Sequence, residues 1–173
     1  MGYDLHGCNP IDCNYENYPT LSKWEDKSWD ERRDQMPEEV SDKYWKEMSE
    51  RDSDTGAYFR ANVWWWRELW SFTCGVCFKV MTEDDRRAGD ANDGIEITEE
   101  TCANMVPLMR KAIESKDHEK HEAEVTQAID EVDKNDNGWP KNEEDWWAMY
   151  PFSASFFEQF TTFVERSGGF TID

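Results

Sequence analysis

Basic residues are in short supply: 19 Lys and Arg stand against 39 Asp and Glu, a formal charge of −20. Neutralising a nucleic-acid backbone takes clustered cations, so this composition excludes direct nucleic-acid binding through a basic face. No apolar run approaches the roughly 20 residues that cross a bilayer, and no membrane span is expected. The opening residues, Met1-Gly2-Tyr3-Asp4-Leu5-His6-Gly7, have neither a cationic nor an apolar segment and do not read as a secretory leader. Nor is there an even set of cysteines. Cys8, Cys13, Cys74, Cys77 and Cys102 point to free thiols or a metal site in a reducing cytoplasm rather than to a disulfide framework. No internal repeat of useful length occurs, and the length suits one domain over residues 1–173.

Aromatic residues are plentiful instead: 10 Trp, 9 Phe and 6 Tyr replace the usual aliphatic core filler. Each aromatic side chain buries a large area, which lets a polar chain fold. They concentrate in Tyr58-Phe59-Arg60-Ala61-Asn62-Val63-Trp64-Trp65-Trp66-Arg67-Glu68-Leu69-Trp70 and on through Phe72, Cys74, Val76, Cys77, Phe78 and Val80. At helical spacing Phe59, Val63, Trp66, Trp70 and Cys74 form one ladder, and Tyr58, Trp65, Leu69 and Phe72 a second beside it. The pattern predicts a helix apolar on more than half its circumference, wrapped by the rest of the chain, with Phe160 close to Trp66 and Trp70.

Residues 1–22 are rich in turn formers and read as an irregular N-terminal arm, with a short strand at Tyr3 to Leu5. A similar fragment, Gly168-Gly169-Phe170-Thr171-Ile172-Asp173, closes the chain and is expected to pair with the first. Val40, Tyr44 and Met48 mark an amphipathic helix after Pro37, within a charged region of one or two helices. Thr98 caps a helix carrying Cys102, Met105 and Met109, and another follows near residues 117–132. Ser153 caps the last helix, with Phe156, Phe157, Phe160, Phe163 and Val164 inward and Gly168 at its end. The expected fold is mainly α, an aromatic-rich helical domain around the Trp-rich helix with at most a small β element from the two termini.

Asp133-Lys134-Asn135-Asp136-Asn137-Gly138-Trp139-Pro140-Lys141-Asn142-Glu143-Glu144 fits the calcium-loop pattern D-x-[DN]-x-[DN]-G-x5-E. Calcium needs oxygen ligands at positions 1, 3, 5 and 7 and a bidentate carboxylate at 12, here Asp133, Asn135, Asn137, the Trp139 carbonyl and Glu144. Pro140 at position 8 has no N–H to pair with a second loop, so residues 133–144 suit either a weak, structural EF-hand-like site or a polar connector. Cys74-Gly75-Val76-Cys77 has zinc and redox spacing, with Cys8 and Cys13 as further ligands, though thiols in an apolar helix are commonly buried small residues. His118 and His121 lie three apart on a helix with Glu119 and Glu122, a spacing that could hold a metal, though the charged neighbours suggest a solvated face. Arg60, Asn62 and Arg67 are the polar groups placed to reach a ligand beside the Trp run. No nucleophile elbow, phosphate loop, dinucleotide fingerprint or H-E-x-x-H motif occurs.

Met1-Gly2-Tyr3-Asp4-Leu5 with Asn9-Pro10, Tyr58-Phe59-Arg60 with Asn62-Val63-Trp64-Trp65-Trp66-Arg67 and Leu69-Trp70, Asn92-Asp93-Gly94, and Pro151-Phe152-Ser153 with Ser167-Gly168-Gly169-Phe170 span nearly the whole chain. In these segments it resembles a family of uncharacterised bacteriophage and environmental viral proteins. Relatives there carry a Cys-x-x-Cys zinc-knuckle-like segment before Pro-Phe-Ser. This chain has Asp133 to Trp147 in that place, so no zinc knuckle carries over. The resemblance implies a viral origin and a host-cytoplasmic location, and no activity. With the acidic charge it leads to the expectation of a non-enzymatic phage accessory protein that binds a host protein with a basic surface, such as a nucleic-acid enzyme or defence factor. The alternatives are a calcium- or zinc-binding structural module and an enzyme with a pocket beside the Trp-rich helix.

Overall fold

The computed structural model describes residues 2–91 and 93–173; Met1 and Asn92 lie outside the described residues. The chain opens with β1 (Gly2–Gly7), whose partners come from far along the sequence. With β2 (Tyr58–Asn62), β3 (Ile95–Ile97) and β4 (Phe170–Ile172) it forms an antiparallel sheet in the order β2-β1-β4-β3. The two ends pair at the middle of the sheet, and the edges come from the interior of the chain. Leu5 sits opposite Phe59 on one side and Ile172 on the other, and Ile97 opposite Phe170. The two-residue period of a strand puts Leu5, Ala61, Ile97, Phe170 and Ile172 on the buried face. Asp4, His6, Tyr58 and Arg60 take the other. Residues 1–22 are therefore not simply an irregular arm, because β2 and β4 supply the backbone partners that turn the alternation of Tyr3 and Leu5 with Asp4 and His6 into a central strand.

The Trp-rich helix also differs from its expected form. Tyr58 to Asn62 are strand, and α4 covers Val63–Val76. Phe59 and Ala61 alternate with Tyr58 and Arg60, and pairing with β1 satisfies their backbone groups better than one more helical turn would. Asn62 ends the strand and starts the helix, its Oδ1 accepting from the N–H groups of Trp64 and Trp65 at 3.0 and 3.1 Å. Trp66 and Trp70 are buried at 0% and 3% exposure, stacked with ring centroids 5.2 Å apart, and Phe160 meets both edge-on at 5.7 and 6.4 Å. Trp64 and Trp65 remain exposed. Successive residues on a helix lie about 100° apart, so three consecutive Trp cannot all face one core.

Around α4 lie α5 (Glu83–Ala88), α6 (Glu99–Glu114, continuous through Pro107), α7 (Asp117–Glu131) and α8 (Ala154–Arg166). Phe157, Phe160, Phe163 and Val164 of α8 fill the space between α4, α6 and the sheet. The charged region before β2 folds as α1 (Pro19–Trp24), α2 (Trp29–Gln35) and α3 (Glu38–Thr55), with a satellite core of Tyr18, Leu21 and Tyr44. Among the described residues no helix is long and apolar enough to cross a membrane.

Candidate functional site

The three polar residues expected beside the Trp run do not converge on one pocket. Arg60 and Asn62 line a shallow cleft of about 320 Å³ with Trp65, Ser153 and Gln159, whereas Arg67 lines a separate cleft of about 610 Å³. Each also has a partner within the fold. Arg60 pairs with Asp4 across β1 and β2 at 3.5 Å, Asn62 caps α4, and the Arg67 guanidinium lies 4.9 Å from the centre of the Tyr150 ring.

Beside them is a surface that no motif marked. Seven of the ten Trp are exposed: Trp29, Trp45, Trp64, Trp65, Trp139, Trp146 and Trp147. Five of these belong to the first turn of α4 or to residues 139–147. Trp64 packs against Tyr150 at 5.4 Å, and Trp139 against Trp146 at 5.5 Å. Trp146 and Trp147 sit on a 3-10 helix, Glu143–Met149, whose end is Tyr150. Trp64, Trp139 and Trp146 are therefore each packed on another ring, and Arg67 is stacked on Tyr150 in the same set. Glu143 and Glu144, exposed at the start of that 3-10 helix, have no basic partner among the described residues. The result is exposed aromatic area edged by carboxylates that have no basic partner among the described residues.

The calcium-like loop folds onto itself. Asp133 pairs with Lys141 at 2.9 Å. The Asn135 side chain accepts from the N–H groups of Asn137 and Trp139, and the Trp139 carbonyl accepts from the Asn135 N–H at 2.8 Å. Gly138, at φ 79°, makes the left-handed turn that the pattern requires. Thus the groups at positions 1, 3 and 7 already have partners in the loop, and Glu144 is exposed on the 3-10 helix that follows, not on an α-helix.

All five cysteines are free, and they do not gather as a four-thiol set: Cys13 packs with the satellite core and Cys74 and Cys77 with the main one. Burial pushes the Cys74, Cys77 and Cys102 thiols up to about 12, which keeps them protonated and poorly nucleophilic. Among the described residues no three His, Cys, Asp or Glu side chains are grouped to hold a metal. His118 and His121 are not on a solvated face. His118 is buried at 1% exposure with Nε2 3.0 Å from Glu158, and His121 stacks on Phe72 at 4.6 Å. They share the inner side of α7, since α8 and Phe152 cover it.

The residues not singled out in the sequence are Trp146, Trp147 and Tyr150 of this surface and Glu68, which lines the larger cleft. One usable signal was there: Trp64, Trp65 and Trp66 together span about 200° of a helix, so a single packed face cannot take all three. No protein-family model, curated protein or solved structure matches the chain.

Proposed function

We propose that the chain is a non-enzymatic binding protein whose partner is a protein with a basic surface, engaged through the tryptophan face of α4 and the 143–149 helix. One observation carries this: Trp64, Trp139, Trp146 and Trp147 stand exposed, Trp64 packed on Tyr150 and Trp139 on Trp146, beside the unpaired carboxylates Glu143 and Glu144. Large exposed aromatic patches are uncommon on monomers, and Trp dominates the energetics of interfaces. Indole faces attract Lys and Arg, and the −20 charge steers basic partners toward the chain. On this reading the viral resemblance makes the partner a host protein, and a nucleic-acid-binding cleft fits because carboxylates can occupy phosphate positions.

The test is capture from host lysate, identification of the captured protein, and affinity measurement with the purified pair. The partner should be basic, bind more weakly as salt rises, and lose about thirtyfold or more when Trp146 becomes Ala, the scale of an interface hot spot. A captured partner indifferent both to salt and to Trp146→Ala and Trp64→Ala overturns the proposal.

A further inference from the structure

The cleft of about 610 Å³ between β1, α4 and α5 is of the size that holds a small ligand or a side chain. Its aromatic wall is rigid. The indole N–H groups of Trp66 and Trp70 donate to the Gly89 and Arg86 carbonyls at 2.7 and 2.8 Å, and Tyr3 stacks on Trp66 at 5.1 Å. A Cβ on Gly89 would stand 2.2 Å from the Trp70 ring, so only glycine allows this contact.

The charged groups around the wall differ in how far the fold engages them. Arg86 is committed: its Nη1 donates to the Met81 carbonyl at 2.6 Å and its guanidinium covers the Phe78 ring. Arg67 is drawn to the Tyr150 ring. The Glu68 carboxylate accepts no hydrogen bond and joins no ion pair among the described residues, although it is half-buried and burial pushes its pKa upward. The Asp90 carboxylate and the Ser71 hydroxyl, also at the cleft, are likewise without a hydrogen-bond or ion-pair partner among the described residues. Desolvating a carboxylate without a partner costs stability, and an incoming cation offsets that cost.

We infer that the cleft receives a guanidinium or ammonium group, with Glu68 as its counter-ion, Asp90 as a second negative charge, and Trp70 and Tyr3 as its aromatic wall. This rests on the proposed function: the cation is a Lys or Arg side chain of the basic partner. Arg67, which lines the cleft and stacks on Tyr150, makes the cleft continuous with the tryptophan face.

The test uses the whole chain and three probes: N-acetyl-arginine amide, its neutral citrulline analogue, and a short arginine-rich peptide, each titrated while backbone amide signals are followed. The arginine amide should shift Ser71 and Gly89 saturably, and the citrulline analogue should not. Glu68→Gln should weaken the arginine amide by about tenfold while leaving the melting temperature unchanged or higher. Ser71→Leu, which fills the cleft from an exposed position, should also abolish binding. The peptide should bind more tightly than the amide and lose that gain in Trp146→Ala. Arginine amide binding with no gain for the peptide keeps the cleft and removes the basic-partner reading. Peptide binding that ignores Glu68→Gln and Ser71→Leu, or equal binding of the citrulline analogue, overturns the cleft.

Discussion

Trp66 makes more contacts of different kinds than any other side chain described above: it stacks on Tyr3 and Trp70, meets Phe160 edge-on and donates to Gly89. Replacing it with Ala leaves a large cavity and an unpaired carbonyl, and should cost about 3 to 5 kcal/mol in chemical denaturation. A small change in midpoint would mean that the sheet and α8 fold without it. Glu47 is the opposite kind of residue, a charge at 6% exposure on α3. It accepts from the N–H groups of Thr20 and Leu21 at 2.7 and 2.8 Å, and so caps α1, whose own Tyr18 offers no side-chain cap. Burial raises its pKa, but these bonds and Lys43 outweigh burial and hold it below the ordinary 4.5. A depressed pKa adds stability above the unfolded value that is lost as pH falls through the folded one. Glu47→Ala should therefore cost roughly 2 kcal/mol at neutral pH, and the gap to the parent should shrink in acid below pH 4.5. A gap that persists unchanged there would assign the loss to packing instead.

At the scale of elements, what could be read from the chain was what depends on local period. Tyr44 and Met48, the phenylalanines of α8, and Trp66 with Trp70 all follow helical spacing and face a core. The strand at 58–62 was hidden because its alternation is only five residues long and runs into a strong helical pattern, and its partner lies more than fifty residues earlier. Glu47 and His118 were hidden for a related reason: a charged or polar residue reads as solvated until the element covering it is known. The tryptophan face has the same origin, since periodicity finds the side that packs and says nothing about how much of the rest stays bare. The 133–144 loop shows how a motif can match while its donors are already used. Calcium there competes with Lys141 for Asp133 and with the Asn137 and Trp139 N–H groups for the Asn135 side-chain oxygen. We therefore expect millimolar calcium and magnesium to shift the melting temperature alike, through general screening, in both the parent and Glu144→Gln. A larger calcium shift that Glu144→Gln removes would establish the loop as a calcium site.

For the whole molecule the dominant quantity is the charge of −20. Like charges repel within a compact state, and the ion pairs are mostly on the surface, where each contributes little. Added sodium chloride screens the repulsion over a Debye length of about 8 Å at physiological strength. Stability should therefore rise with salt, and raising sodium chloride from roughly 20 to 200 mM should lift the melting temperature by several degrees, about 2 to 4 °C per kcal/mol for a chain of this size. The same screening weakens attraction to a basic partner, so affinity should fall over the interval in which stability rises. The opposite signs are what make the comparison decisive. A partner lost because the fold loosens would be lost at low salt, where the chain is least stable; one held by charge is lost at high salt, where the chain is most stable. Melting curves and binding isotherms recorded over one salt series will separate the two. Affinity and stability rising together would mean that partner binding draws on apolar contact with the tryptophan face, with the acidic charge serving solubility alone.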